Sequence, residues 1–319
     1  MQKVKDFNKD LFCTREASFK KPIDNLEKLK LSIRSRKHKT YVEHIINNYS
    51  NILNATPPEM LVFKESFDKI LPSQIVKESH KKGSPEFYKL IVDAMRYEAL
   101  REREFPKFFL SSNIKSCVYC NAQHTLTIEL KYYGRKKKNV KKVQSKLQLD
   151  HFYPKSKYPF LCTSFFNLYP TCANCNLAKG TKDALFELYT TTNNQDEFQF
   201  KIDDKSILNY WVKMDINKVK IVFESLTGNE TLLKNHQELF KIQEIYDSNI
   251  DIAEELIIKA NSNPESYRKI LYKSFIQIFP NESFVERLLI GNYSQPEELL
   301  KRPYAKYTQD IARQLKLIN

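Results

Sequence analysis

The chain has 319 residues and a formal net charge of +14, with 28% charged and 41% hydrophobic residues. The charged start Met1-Gln2-Lys3 argues against a signal peptide, and no apolar run approaches the roughly 20 residues that a membrane span needs. We therefore expect a soluble, cytoplasmic protein without membrane contact, in which the 6 cysteines bind metal rather than form disulfides.

Residues 1–110 are predicted to form an N-terminal helical region. Apolar residues recur at helical spacing within 41–49, and Thr56-Pro57-Pro58 interrupts that run. Another helix is predicted to start at Ser84-Pro85-Glu86, with serine as the N-cap and proline as the first helical residue, and to carry Tyr97 on its buried face. Three histidines of this region are expected to be packing or surface residues, namely His38, His44 and His80.

Residues 111–183 form a predicted central module that contains most of the excess positive charge. The stretch from Ser111 to Lys182 has thirteen Lys or Arg and two acidic residues, so it supplies +11 of the net +14. Alternating apolar residues predict a β-hairpin from 125–130 and 145–149, whose tip carries Arg135, Lys136, Lys137 and Lys138. The tip is either a phosphate-backbone contact or a solvated loop, whereas the charge of the whole module favours nucleic-acid binding.

Two CxxC pairs bound the module. Cys117 and Cys120 form the first pair, and Cys172 and Cys175 form the second. Four thiolates in this spacing are typical of a tetrahedral structural zinc site, which contributes on the order of 10 kcal/mol to folding. His124 is an alternative ligand. The remaining cysteines, Cys13 and Cys162, are expected to be ordinary buried thiols.

Residues 184–319 are predicted to be mostly helical, with one strand. Alternating apolar residues place the strand at 218–223, and Thr227-Gly228-Asn229 predicts the turn that follows it. A helical pattern then runs without a break from Leu239 to Ala260. Two further helices are predicted, at 266–279 and near 308–317.

Polar residues with metal-binding and acid–base chemistry lie between the cysteine pairs. Asp150 and His151 end a predicted strand, where successive side chains face opposite ways, so a bend must follow if both serve one site. Asn176 and Lys179 share a face of a short predicted helix, because they are three residues apart. With Asn167, this set has the composition of a metal-dependent nuclease centre.

Asp150-His151, then Asn167, then Asn176 with Lys179, framed by the CxxC pairs, resembles the HNH endonuclease family. The similarity covers about 65 residues and is closest to HNH nucleases encoded beside ATPases in bacterial anti-phage systems of the Septu and retron type. It implies an α+β protein, mainly helical, in which a zinc-stabilised ββα-metal module is flanked by helical regions. It also implies a DNA-cleaving effector of a defence system, with an ATPase subunit as a possible partner.

The resemblance assigns roles to individual residues. His151 would be the general base that activates water, and Asp150 and Asn176 would hold one Mg²⁺ or Mn²⁺. Asn167 would fix the loop that carries His151, and Lys179 or Lys182 would neutralise a phosphate oxygen. Asn176 stands where the family name has histidine, which favours Mg²⁺ or Mn²⁺ over softer metals.

Two alternatives to a DNA endonuclease remain open at this point. One is a zinc-knuckle module that binds nucleic acid without cleaving it, for which thiolates and lysines suffice. The other is a nuclease directed at RNA. Asp150, His151 and Asn176 favour cleavage over mere binding, whereas the oligomeric state is left undetermined.

Overall fold

The computed structural model describes residues 16–133, 139–190, 196–274, 277–278 and 281–318. Within these residues, helices predominate and three two-stranded antiparallel sheets accompany them, which confirms the predicted α+β class. No helix in the described ranges combines the length and the apolarity needed to cross a bilayer. Cys13 and the hairpin tip, Arg135, Lys136, Lys137 and Lys138, lie outside the described residues, so their roles stay predictions.

The N-terminal region is helical, as predicted. Its elements are α1 (Glu16–Ser32), α2 (Arg36–Leu53), α3 (Pro57–Ile70), α4 (Ser73–Val76), α5 (Phe87–Ala94), α6 (Tyr97–Arg103) and α7 (Phe105–Ser112). The predicted break Thr56-Pro57-Pro58 separates α2 from α3, and Thr56 is the N-cap of α3. The backbone N–H and the hydroxyl of Thr56 both donate to the Glu59 carboxylate at 2.7 Å.

The prediction of one helix that starts at Ser84 and includes Tyr97 is wrong at both ends. Glu86 has extended backbone angles (φ −56°, ψ 142°), so α5 begins only at Phe87. Arg96 then takes a left-handed conformation with φ 57°, which separates α5 from α6. Tyr97 therefore opens a new helix, although its side chain is buried as predicted.

The central module contains the predicted hairpin and a second ribbon that the pattern did not separate from it. Strand β1 (Leu126–Tyr133) pairs with β2 (Asn139–Lys146), whereas β3 (Gln148–His151) pairs with β4 (Leu168–Thr171). The prediction of one strand over 145–149 is thus wrong, because alternation of apolar residues does not reveal a change of partner strand. Helix α8 (Ala173–Lys179) follows β4 directly.

The C-terminal region is mostly helical and contains one ribbon. Strand β6 (Ile221–Ser225) lies slightly later than predicted and pairs with an unpredicted strand, β5 (Phe198–Ile202). The continuous helix predicted from Leu239 to Ala260 is broken, since Lys241 is left-handed (φ 53°). The helices are α9 (Asp204–Lys213), α10 (Glu230–Phe240), α11 (Ile242–Asp247), α12 (Ile250–Ser262), α13 (Glu265–Ser274), α14 (Glu282–Ile290) and α15 (Ala305–Gln314).

Buried side chains form two apolar clusters, and the β3–β4 ribbon contributes to both. Leu149 and Leu168 pack with the N-terminal helices. Tyr169 and Phe152 pack with the four cysteines of the CxxC pairs and with the C-terminal region. The ribbon therefore lies at the boundary of the two cores, with its alternate residues facing opposite sides. The boundaries 1–110, 111–183 and 184–319 stay a prediction.

Candidate metal and catalytic centre

The four cysteines of the two CxxC pairs come together in one buried cluster. Their sulfur atoms all lie within 4.8 Å of one another, and all four residues are buried. In the first turn, Asn121 takes a left-handed conformation and its N–H donates to the Cys117 carbonyl at 2.8 Å. In the second, Cys172 is the N-cap of α8, and its Sγ accepts from the Cys175 N–H at 3.4 Å.

This cluster fits a zinc ion. Zn–S bonds of 2.3 Å in a tetrahedron place the sulfur atoms about 3.8 Å apart, and the Cys120 and Cys172 Sγ atoms lie 4.0 Å apart. Burial raises the pKa of the Cys117 thiol, so a cation is needed to stabilise buried thiolates. The four predicted ligands are therefore brought together. His124 is exposed and does not belong to the cluster.

The remaining described cysteine is an ordinary buried thiol. The Cys162 side chain is fully buried in the N-terminal core and lies 3.7 Å from the Met95 sulfur. It is not part of the zinc cluster. Its backbone carbonyl, in contrast, has a role at the candidate catalytic centre.

Residues of the C-terminal region hydrogen-bond to the turn Cys117–Asn121, which carries the first CxxC pair and is called the first knuckle below. The Tyr246 hydroxyl donates to the Cys120 carbonyl at 2.7 Å, and the His236 Nε2 lies 2.9 Å from the Tyr119 carbonyl. The Asn121 carbonyl accepts from the Tyr304 N–H at 2.6 Å. The knuckle is thus stabilised by α10, α11 and the start of α15 as well as by its own turn.

His236 makes the folded protein sensitive to acid. Its Nε2 must carry the proton donated to the Tyr119 carbonyl, which leaves Nδ1 as a buried acceptor without a partner among the described residues. Burial lowers the pKa of His236 to about 3, and this effect outweighs the hydrogen bond to Tyr119. Below the usual pKa of about 6.5, the unfolded chain therefore takes up a proton that the folded chain does not.

We expect stability to fall as the pH falls from about 6.5 towards 3, by up to about 1.4 kcal/mol per pH unit for His236. Between pH 7.5 and 5.0, the wild type should lose about 2 kcal/mol more of its unfolding free energy than His236→Gln. Urea unfolding of both proteins at both pH values measures this. Both proteins contain the same other histidines, whose contributions cancel in the comparison. Equal losses of unfolding free energy in the two proteins would contradict the predicted effect of His236.

Asp150 lies at the end of β3 in a buried polar cluster. Its Oδ2 accepts from the Tyr119 hydroxyl at 2.8 Å and is 3.0 Å from the Lys179 ammonium. Lys179 also donates to the His151 carbonyl at 2.7 Å. Burial raises the pKa of Asp150, and the nearby Lys179 charge opposes this shift. The Asp150 carboxylate is therefore paired with the Lys179 ammonium, and both side chains are almost completely buried.

His151, the next residue, is held in one orientation and one tautomer. Its Nε2 lies 2.9 Å from the Cys162 carbonyl, so this nitrogen carries the proton and Nδ1 is the basic atom. Nδ1 makes no hydrogen bond among the described residues, and the residue is 7% exposed. The ring packs 4.9 Å from the Tyr97 ring. Burial lowers the pKa of His151 to about 3, and the Lys155 charge acts in the same direction, so the imidazole is neutral at neutral pH.

Asn167 fixes the loop that follows His151. Its side-chain oxygen accepts from the Tyr153 N–H at 2.7 Å, and its amide donates to the Tyr153 carbonyl at 3.2 Å and to the Leu161 carbonyl at 3.0 Å. Asn167 is fully buried. These three bonds close the segment 153–161 on itself, which is the geometry that the predicted positioning role requires.

The remaining predicted residues lie on or after α8. Asn176 is half-buried on the same helix as Lys179. Lys182 is exposed. Lys179 is fully buried in its ion pair with Asp150, so a contact with phosphate would require that pair to open. The phosphate contacts of Lys179 and Lys182 and the metal contact of Asn176 stay predictions.

A polar groove runs from the N-terminal region to the hairpin. It has a volume of about 680 Å³ and lies between α6 and β2. Three basic residues and two acidic residues line it, namely Arg101, Arg103, Lys142, Glu98 and Glu102. Arg101 also donates to the Gln148 side chain at 3.0 Å, so the groove reaches the first residue of β3.

Comparison with known proteins gives one relevant match. The chain is similar to the Septu protein PtuB of Bacillus thuringiensis. The two are 24% identical over an alignment of 199 positions, which covers 56% of this chain and 69% of PtuB. No family model and no solved structure matches the chain.

Sequence reasoning missed residues that support the site from a distance. Tyr119 was visible only as a spacer of the first CxxC pair, and its hydroxyl contacts Asp150, 31 positions away. His236 and Tyr246 lie more than a hundred positions from the knuckle carbonyls that they contact. The sequence shows that Tyr119 is a large aromatic residue inside the first CxxC pair. It does not show that the Tyr119 hydroxyl contacts Asp150.

Proposed function

We propose that this protein is a metal-dependent endonuclease of the HNH type. The observation that carries the proposal is the end of β3, where Asp150 and His151 are adjacent: the Asp150 carboxylate is held by Tyr119 and Lys179, and the His151 ring is fixed by the Cys162 carbonyl. The order β3, β4, α8 is that of a ββα-metal module, and the Cys₄ cluster joins the start of the module to α8. A protein that only binds nucleic acid has no need for this pair.

His151 acts as the general base. Because the Cys162 carbonyl accepts from Nε2, Nδ1 is oriented to take a proton from a water molecule that attacks phosphorus. The imidazole is neutral at neutral pH, and its pKa of about 3 makes it a weaker base than an exposed histidine. Asn167 keeps the following loop in place, so the base does not have to be ordered when substrate binds.

The Asp150 carboxylate and the Asn176 amide oxygen would hold the catalytic divalent cation, since both are hard oxygen donors of the kind that Mg²⁺ and Mn²⁺ prefer. The Lys179 ammonium lies within 3.1 Å of both Asp150 oxygens, so the metal would take the place of this ammonium. Mg²⁺ bound there would supply charge stabilisation at the scissile phosphate and its leaving oxygen. Tyr119 orients the carboxylate.

DNA is the proposed substrate. The module from Ser111 to Lys182 carries +11 of the net charge of +14, which favours a polyanion. Lys182 is exposed beside α8 and is proposed to neutralise a phosphate oxygen, with Lys179 as the alternative. The basic hairpin tip is proposed to follow the backbone further from the cut. The same charges suit RNA, so the test below includes it.

The likeness to PtuB supports a role in anti-phage defence. We propose that the chain is the effector nuclease of a Septu-type system and works with an ATPase partner. The alignment covers 69% of PtuB. The partner would control when the nuclease acts.

The experiment incubates the purified full chain with supercoiled plasmid, single-stranded DNA and single-stranded RNA. We expect nicking or linearisation of plasmid in Mg²⁺ or Mn²⁺ and none in EDTA, because Asp150 and Asn176 need a divalent cation to act. Gel electrophoresis over a time course measures the products.

The assay distinguishes a DNA endonuclease from an RNA nuclease, from a module that only binds nucleic acid and from a nuclease that needs no metal. RNA cleavage without DNA cleavage would replace the substrate and keep the mechanism. Binding of all three nucleic acids without cleavage, also after addition of the cognate ATPase, would favour the zinc-knuckle binding module. Cleavage that persists in EDTA would contradict a metal-dependent centre.

A further inference from the structure

The zinc cluster and the candidate catalytic centre are joined by one side chain. Tyr119 lies between Cys117 and Cys120 in the first zinc knuckle. Its hydroxyl donates to the Asp150 Oδ2 at 2.8 Å. A residue that belongs to the structural metal turn thus contacts the carboxylate proposed to bind the catalytic metal.

The Tyr119 side chain has little freedom to move. It is fully buried, and its ring stacks on Phe240 with a centroid distance of 4.4 Å and an interplanar angle of 16°. The Tyr119 carbonyl accepts a hydrogen bond from the His236 Nε2, and the neighbouring Cys120 carbonyl accepts one from the Tyr246 hydroxyl. The hydroxyl is therefore placed by the knuckle and by α10 and α11, independently of Asp150.

The hydrogen bond limits how the Asp150 carboxylate can turn. A carboxylate has about four lone-pair positions on its two oxygens. The Tyr119 hydroxyl occupies one of them on Oδ2, and the Lys179 ammonium lies 3.1 Å from Oδ1 and 3.0 Å from Oδ2. Lys179 is the cation whose place a bound metal would take, whereas Tyr119 is a neutral donor held by its stacking on Phe240. Tyr119 would therefore keep the carboxylate oriented when the metal takes the place of Lys179.

We propose that Tyr119 is a positioning residue for the catalytic metal, through which the folded zinc knuckle sets the orientation of the Asp150 carboxylate. This inference rests on the proposed function, because it assumes that Asp150 binds the catalytic cation. Loss of an outer partner of a ligating carboxylate typically costs 10–100-fold in metal affinity or activity. The two metal sites are then coupled through one hydroxyl, although they share no ligand.

The test compares Tyr119→Phe with Tyr210→Phe in the full, zinc-loaded chain. Both changes delete the hydroxyl of a buried tyrosine in the same core, but the Tyr210 hydroxyl donates to Glu254, whereas that of Tyr119 donates to Asp150. Mn²⁺ binding is followed by the electron paramagnetic resonance signal of free Mn²⁺, and zinc content and the unfolding temperature are measured on the same samples. We expect Tyr119→Phe to weaken Mn²⁺ binding about 10–100-fold, with one zinc retained. Tyr210→Phe should bind Mn²⁺ as the wild type does.

Asp150→Asn identifies the Mn²⁺ that belongs to this site, since its binding should be lost in that variant. Equal Mn²⁺ affinity in Tyr119→Phe and the wild type would overturn the proposal. Loss of zinc or of cooperative unfolding in Tyr119→Phe would also overturn it, because Tyr119 would then be a structural residue of the knuckle. A wild type that binds no Asp150-dependent Mn²⁺ would remove the proposed catalytic centre itself, and the role of Tyr119 with it.

Discussion

Cys120→Ser should deprive the protein of its zinc and unfold the central module. Cys120 is buried, and its Sγ lies 4.0 Å from that of Cys172, so a serine hydroxyl at this position leaves three thiolates and a weak fourth donor. A structural zinc contributes on the order of 10 kcal/mol, which is comparable with the whole stability of a typical domain. Elemental analysis and thermal unfolding with and without a chelator measure the effect.

Cys162→Ala is the matched control for this experiment. Cys162 is as buried as the zinc ligands but lies against Met95 in the other core. The control should keep about one zinc per chain and lose only the packing of one sulfur. A full zinc content in Cys120→Ser, with unchanged unfolding, would contradict the four-thiolate site.

His151→Ala should reduce cleavage of supercoiled plasmid by about 100- to 10,000-fold, the usual contribution of a general base. The substitution removes Nδ1, whose orientation depends on the hydrogen bond from Nε2 to the Cys162 carbonyl. Zinc content should not change, because no zinc ligand contacts this imidazole among the described residues. Initial rates at saturating Mg²⁺ measure the loss.

His44→Gln serves as the control for His151→Ala. His44 bonds Ser66 and packs on Phe67 within the N-terminal helices, away from Asp150. It should cleave at the wild-type rate. If His151→Ala keeps its zinc and still cleaves as fast as this control, another group is the base.

The metal site was more predictable than the architecture around it. The spacing of the two CxxC pairs is enough to predict four metal ligands, because each pair forms a short local turn that presents two thiolates together. Asp150 and His151 were likewise recognisable as neighbours in sequence. Their bonding partners were not, since Tyr119 and the Cys162 carbonyl approach only through long-range packing.

Errors in the fold have a common physical origin. Apolar periodicity reports which face is buried, and it persists wherever consecutive elements face the same core. The pattern from Leu239 to Ala260 therefore hid the left-handed Lys241, and the alternation through Leu149 hid the change from β2 to β3. Left-handed non-glycine residues such as Arg96 have no sequence signal strong enough to reveal them.

The position of the β3–β4 ribbon between two cores limits how this protein can evolve. Leu149 and Leu168 must match one set of partners, while Phe152 and Tyr169 must match another. A recombination event that exchanges either terminal region has to preserve one face of the strand that ends in Asp150 and His151. The candidate catalytic motif is short, but the part of the chain that keeps it folded includes both terminal regions.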